Sequence, residues 1–206
     1  MITMAEDNRF GRIATFYDTL VGRFGHEARA TDQSAESRQT RFQILAEVTD
    51  LTDKRILDVG CGLADYADYL LERFKRVSYV GIDISPRMIE KARQLRPQLD
   101  LRPTNILDKE FKEQFDVVTA NGIFYLLGND AVDVIRPIIR RMYELSKFAV
   151  AFSTLSSWAP IKDAGEFYAD PVEILNICRE FTPWVTLRHD YLQHDFVVYM
   201  YRERNI

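Results

Sequence analysis

The 206-residue sequence predicts an α/β fold: a doubly wound, mainly parallel sheet with helices on both faces and an antiparallel last pair. Three observations carry that expectation. Short apolar runs of strand length alternate with amphipathic helical patterns along most of the chain. A Gly-Cys-Gly turn, Gly60 to Gly62, joins the first such run to the helix after it. Only "LQH" separates the last two runs, a connection short enough for an antiparallel hairpin.

Taken in order, residues 12–24 place Ile13, Phe16, Tyr17, Leu20, Val21 and Phe24 at helical spacing. A polar stretch then leads to a second helix around residues 41–48. Residues 55–59 form the first strand, which stops at Gly60, and Tyr66, Tyr69, Leu70 and Phe74 mark the helix that follows. Residues 77–82 are the second strand. Ser85 and Pro86 supply an N-cap and a first-position proline for a helix ending near Arg96. Residues 99–102, 115–120 and 148–154 read as strands three to five. Within residues 130–146 Pro137 lacks an N–H and is expected to divide the segment into two helical pieces. Asp170, Pro171 and Glu173 start a helix that runs to about Phe181. Residues 185–191 and 196–201 are the closing hairpin.

Composition narrows the function. With 47% hydrophobic residues, residues 1–206 are expected to form one domain. A net charge of -4 disfavours nucleic acid as a partner. Cys61 and Cys178 show no metal-ligand or disulfide spacing, so no metal is expected and both are expected to be reduced thiols. The start, "MITMAEDNRF", has no apolar signal core and no run reaches membrane-span length. The chain is therefore expected in the cytoplasm, with no membrane partner. Oligomeric state is not legible.

Asp58 and Asp83 close the first two strands, and ligands of open α/β sheets bind beyond the carboxyl ends of strands. Asp58, Gly60, Gly62 and Asp83 therefore converge on one crevice, where an acidic side chain can accept from both hydroxyls of a ribose. Cys61 is expected to be a small packing residue rather than a nucleophile.

The segments "ILDVGCGLADYADYL", "YVGIDISPRMIEKAR" and "FDVVTANGIFYLL" together resemble the class I S-adenosylmethionine-dependent methyltransferases, with a Rossmann-like, seven-stranded sheet whose last strand is reversed. The resemblance implies S-adenosylmethionine as cofactor, S-adenosylhomocysteine as its product, and a small-molecule acceptor, expected to be methylated on oxygen. It implies that Gly60 and Gly62 pass close to the methionine part, Asp58 supports its amino group, and Asp83 holds the ribose. Ile84 and Met88 would pack near the adenine, Asn105 and the Ile106 backbone would meet the adenine edge, and Asn121 would lie near the sulfonium. The family usually has Asp where this chain has Asn105, and a third loop glycine where it has Ala64.

The leader "FYDTLVGRFGHEARATDQSAESRQTRF" is similar to that of small bacterial members of the class, which implies a helical cap over the cofactor from residues 1–50. Residues 25–39 would be a mobile lid. Tyr17 and Gln39 would reach the pocket, and Arg41 is either a partner of the cofactor carboxylate or a solvated surface charge. Candidates for a general base are His26, His189, His194, Tyr125 and Asp130, with His26 preferred for its place in the lid. Two other readings stay open. One is a nicotinamide-dependent oxidoreductase, which shares the strand-turn-helix; the other is a non-catalytic S-adenosylmethionine-binding partner subunit.

Overall fold

The structure is a computed structural model that describes residues 4–24, 35–128 and 130–204. Thirteen elements follow in the order α1 (Met4–Phe24), α2 (Ala35–Ala46), β1 (Arg55–Val59), α3 (Asp65–Arg73), β2 (Ser78–Asp83), α4 (Pro86–Leu95), β3 (Asp100–Pro103), β4 (Phe115–Asn121), α5 (Ala131–Leu145), β5 (Ser146–Leu155), α6 (Pro171–Arg179), β6 (Val185–Leu192) and β7 (Asp195–Tyr201). The seven strands form one sheet in the order β3-β2-β1-β4-β5-β7-β6. Pairs from β3 to β5 are parallel, and β7 runs antiparallel to both β5 and β6.

Both faces of the sheet are covered, as near-continuous apolar strands require. On one face α2, α3 and α4 bury Phe42, Leu45, Tyr66, Leu70, Ile89 and Ala92. On the other α5 and α6 bury Val134, Ile135, Ile139, Met142, Ile174 and Ile177. The chain leaves β1 toward β2 on one side and meets β4 on the other, so the strand order reverses beside β1, the place where such sheets open a crevice.

The caps behave as the sequence predicts. Ser85 Oγ accepts from Met88 N ahead of Pro86, and Asp170 accepts from Val172 N and Glu173 N ahead of Pro171. Pro137 is a correction: α5 is one helix with the proline inside it. An interior proline costs about 3 kcal/mol. Ala131, Val134, Ile135, Ile138, Ile139, Met142 and Leu145 are all buried on the sheet, and at about 1.5 to 3 kcal/mol for each large side chain their burial outweighs that cost. Pro137 itself is only partly buried.

Two helices begin earlier than their apolar period predicts. Extension of α1 to Met4 lets Phe10 and Ile13 pack on the α5 face of the core while Arg9 pairs with Asp130. In α2 the inward side carries charged residues, because Arg38 and Arg41 each meet a carboxylate, which hides the helical period. Among the described residues no helix is long and apolar enough to cross a membrane.

Candidate functional site

The crevice opens at the carboxyl ends of β1, β2 and β4. After Val59 the chain turns through Gly60 and Gly62, at φ of 68° and 55°, and reaches Ala64 at φ 64°, all left-handed. Glycine takes that conformation without strain, while Ala64 carries the cost. Gly60 N and Cys61 N both donate to Ile82 O, at 2.8 and 3.0 Å, which fixes the turn against β2. A Cβ on Gly60 would lie 2.4 Å from Ile123 Cγ2, so a side chain there would collide with the loop after β4.

Asp83 holds this turn as well as facing the crevice. Its Oδ2 accepts from Gly62 N at 3.0 Å and its Oδ1 from Ser85 N at 2.8 Å, leaving each oxygen one further acceptor site. Asp58 accepts from Tyr79 Oη at 2.6 Å and Thr119 Oγ1 at 3.3 Å. Burial pushes the Asp58 carboxyl up to about 7, against the hydrogen bonds from Tyr79 and Thr119 and with help from the nearby Asp83 charge. Burial also pushes Asp83 up to about 6, against the backbone N–H groups of Ser85 and Gly62. Among the described residues neither acid has an ion-pair partner.

Both groups start from 3.8 in the open chain, so the folded protein holds the extra protons, and their contribution to stability is full below pH 4 and lost as pH rises through 6 and 7. The ligand-free protein is therefore expected to melt at lower temperature at pH 8 than at pH 5, with a weaker slope in the Asp58→Asn, Asp83→Asn double variant. Thermal denaturation across that range checks it; identical slopes would remove the two acids as its cause.

Around these groups the crevice is lined by Phe10, Ile13, Tyr17, Arg38, Phe42, Tyr66, Ile84, Met88, Asn105, Ile106, Asn121 and Tyr125, among others, and encloses roughly 1120 Å³ including its mouth. Helix α1 crosses over it. Tyr17 Oη lies 2.6 Å from Tyr125 Oη, Ser85 Oγ donates to Asp18, and Val21 packs on Leu63 and Met88. Asn105 Oδ1 accepts from Leu107 N at 3.0 Å, shaping its own turn, and Asn121 Oδ1 accepts from Ser153 Oγ at 3.0 Å. Cys61 is packed beside Gly81, where an added Cβ would lie 2.8 Å from its sulfur; burial and the charges of Asp83 and Asp58 push its thiol well up, away from a nucleophilic thiolate.

Tyr17, Asp58, Gly60, Gly62, Asp83, Ile84, Met88, Asn105, Ile106 and Asn121 thus come together in one crevice. Arg41 does not join them: it is buried, its Nε donates to Asp195 Oδ2 at 2.9 Å, and its guanidinium also reaches Ser37 Oγ at 3.3 Å. The arginine at the crevice is Arg38, one turn earlier on the same face of α2, whose Nη1 donates to Asp65 at 2.6 Å. Gln39 is exposed, and His26 with residues 25–34 of the expected lid lies outside the described residues. Sequence reasoning missed Arg38 and Tyr66. The signal for Tyr66 was its place in the first turn after the glycines.

A second cavity, of roughly 1170 Å³ including its mouth, adjoins the first. Gly122 and Tyr125 belong to both walls. The rest of its lining comes from Ser37 and Arg41, from Leu155 and the loop after β5, and from Gln193, His194 and Asp195 at the hairpin turn. Of the base candidates, Tyr125 and His194 line this cavity, Asp130 pairs with Arg9, and His189 packs between Trp158 and Phe196 with ring centroids 5.3 and 6.3 Å away.

The family described as a methyltransferase domain matches residues 57–147, which contain the glycine turn, Asp83 and Asn121. A protein of Mycobacterium tuberculosis named as a methyltransferase is 29% identical over 69% of this chain and 90% of its own length. The trans-aconitate 2-methyltransferase of Rhodopseudomonas palustris is 31% identical, but the match covers 43% of this chain and 36% of that protein. Among solved structures, the magnesium protoporphyrin IX methyltransferase of Synechocystis PCC 6803, determined with S-adenosylmethionine bound, superposes with a TM-score of 0.70 at 13% identity, covering 95% of this chain and 97% of that one.

Proposed function

Because this chain belongs to the class I S-adenosylmethionine-dependent methyltransferases, we propose that it methylates an oxygen of a small acceptor held in the second cavity and releases S-adenosylhomocysteine. The observation that carries this reading is the meeting of two cavities at Gly122 and Tyr125. Donor and acceptor can then sit on opposite sides of one short boundary, as an in-line transfer needs.

The crevice residues fit the donor. Among the described residues, Tyr66 Oη and Arg38 Nε are buried polar atoms without a hydrogen-bond partner, and both residues line the crevice. They are suited to a carboxylate, the part that the sequence gives to Arg41. Asp83 has one acceptor site left on each oxygen for a pair of ribose hydroxyls, and Asp58 offers negative charge to an amino group. Gly60, having no Cβ, lets Ile123 of the loop after β4 close on the turn at the edge of the crevice. Ile84, Met88 and Ile106 supply apolar surface, with Asn105, Asn121 and Tyr17 as polar neighbours.

When bound, the cofactor supplies a methyl group on a sulfonium that is already an activated electrophile. The chain has to align the acceptor and keep water out. For that we assign the capping part of residues 1–50 to α1, which carries Phe10, Ile13 and Tyr17 over the crevice, whereas α2 is buried on the sheet. The methyltransferase match removes the nicotinamide-dependent oxidoreductase, and a transfer assay decides against or for a non-catalytic partner.

S-adenosylhomocysteine is expected to raise the melting temperature, by about 2.7 kcal/mol of stabilisation at a hundredfold excess over its dissociation constant, while NAD leaves it unchanged. Labelled methyl recovered on oxygen in a small metabolite completes the test. Stabilisation by NAD alone, or label found on nitrogen, would contradict the reading.

A further inference from the structure

We propose that the acceptor carries a positively charged amino group beside an apolar body, and that Asp163 and Glu166 read that charge. This rests on the reading of the second cavity as the acceptor site.

The argument is one of charge balance in the wall. Among its described residues the cavity has one permanent cation, Arg41. That charge is matched inside the fold: the Arg41 Nε donates to Asp195 Oδ2 at 2.9 Å, both side chains are buried, and Tyr191 Oη donates to the other oxygen of Asp195 at 2.5 Å. A guanidinium tied in this way joins α2 to the hairpin, and its charge is balanced by Asp195 within the fold. Asp163 and Glu166 have no such match. Glu166 accepts from Tyr168 Oη at 2.7 Å, and that same hydroxyl accepts from the backbone N of Asp163 at 2.9 Å, so the ring ties the Glu166 carboxylate to the main chain at Asp163. Lys162 stands off the Tyr168 ring, 5.8 Å from its centroid, and is not part of the lining.

The described wall therefore presents two unpaired carboxylates. Beside them the lining combines the polar Ser37, Gln193 and His194 with an apolar and aromatic part made of Leu155, Pro160, Ile161 and the rings of Tyr125 and Tyr168. A polycarboxylate would meet like charge there, at a cost that disfavours binding. An ammonium group on a flat or aliphatic body meets both halves of the wall. The loop and hairpin that build it, from Leu155 to Asp195, lie beyond the residues 57–147 shared with the family, so the acceptor preference of a relative does not carry over with the donor site.

The test uses two probes with the same phenol ring and opposite charge, tyramine and 4-hydroxyphenylacetate, titrated into the full chain saturated with S-adenosylhomocysteine. Tyramine is expected to bind at least about tenfold more tightly. In the Asp163→Asn, Glu166→Gln double variant that preference should fall to about threefold or less, while affinity for S-adenosylhomocysteine stays the same. Equal or tighter binding of the anion, a preference that survives in the double variant, or no binding of either probe to the loaded protein would each overturn the proposal. Failure of S-adenosylhomocysteine itself to bind would instead overturn the donor reading, so the two are separable.

Discussion

Asp83→Asn is expected to weaken S-adenosylhomocysteine binding by a hundredfold or more while the fold survives. Two hydrogen bonds from ribose hydroxyls to an ionised carboxylate are each worth about 1.5 to 3 kcal/mol, and 1.4 kcal/mol is a factor of ten. The asparagine is the better probe than alanine. Asp83 accepts from Gly62 N and Ser85 N, so alanine would orphan two backbone donors and loosen the glycine turn along with removing the ligand contact. Asparagine keeps one acceptor oxygen and removes the charge. Calorimetric titration, with a melting curve of the free variant as a check on folding, measures the effect. Unchanged affinity would mean that the ribose is held elsewhere.

Gly60→Ala is expected to destabilise the protein and abolish transfer together. At φ 68° an L side chain costs about 1 to 2 kcal/mol. The new Cβ also meets Ile123 Cγ2 at 2.4 Å, and overpacking of this kind costs about 1 to 3 kcal/mol more. Ile123 cannot simply swing away, because the clashing methyl is attached at its branched Cβ, itself 3.6 Å from the new atom. The loop after β4 must move, and that loop lines the crevice. Adding Ile123→Ala should restore the part of the stability lost to the clash but not the part due to the backbone. A single variant that melts with the wild type would show that the turn does not have this geometry.

These two positions were legible in the sequence because the signals that mark them are local. A strand with Asp next to its last residue, a glycine pair, and a second strand ending in Asp lie within one strand-turn-helix-strand unit, and chain connectivity alone brings their ends together. The caps at Ser85 and Asp170 are local in the same sense, since cap and capped N–H groups are separated by two or three residues. Pro137 shows where local reading stops. Its own preference is to end a helix, and seven buried side chains supplied by the sheet beneath α5 override it.

What the sequence by itself determined is therefore the order and type of the elements apart from the unbroken α5, the reversed last strand, and the meeting of residues from Asp58 to Asn121 in one crevice. Tertiary structure alone decided which arginine of α2 faces the crevice. Arg41 is withdrawn by Asp195, 154 residues further along, leaving Arg38 at the crevice wall. The second cavity was decided in the same way, because its wall joins Ser37 and Arg41 to Tyr125, the loop after β5 and the β6–β7 turn. No periodicity records such meetings. A spacing of two, three or four residues is set by the backbone, whereas partners a hundred residues apart are set by how the layers pack, and the preference of a buried charge for its counter-ion is satisfied only after that packing exists.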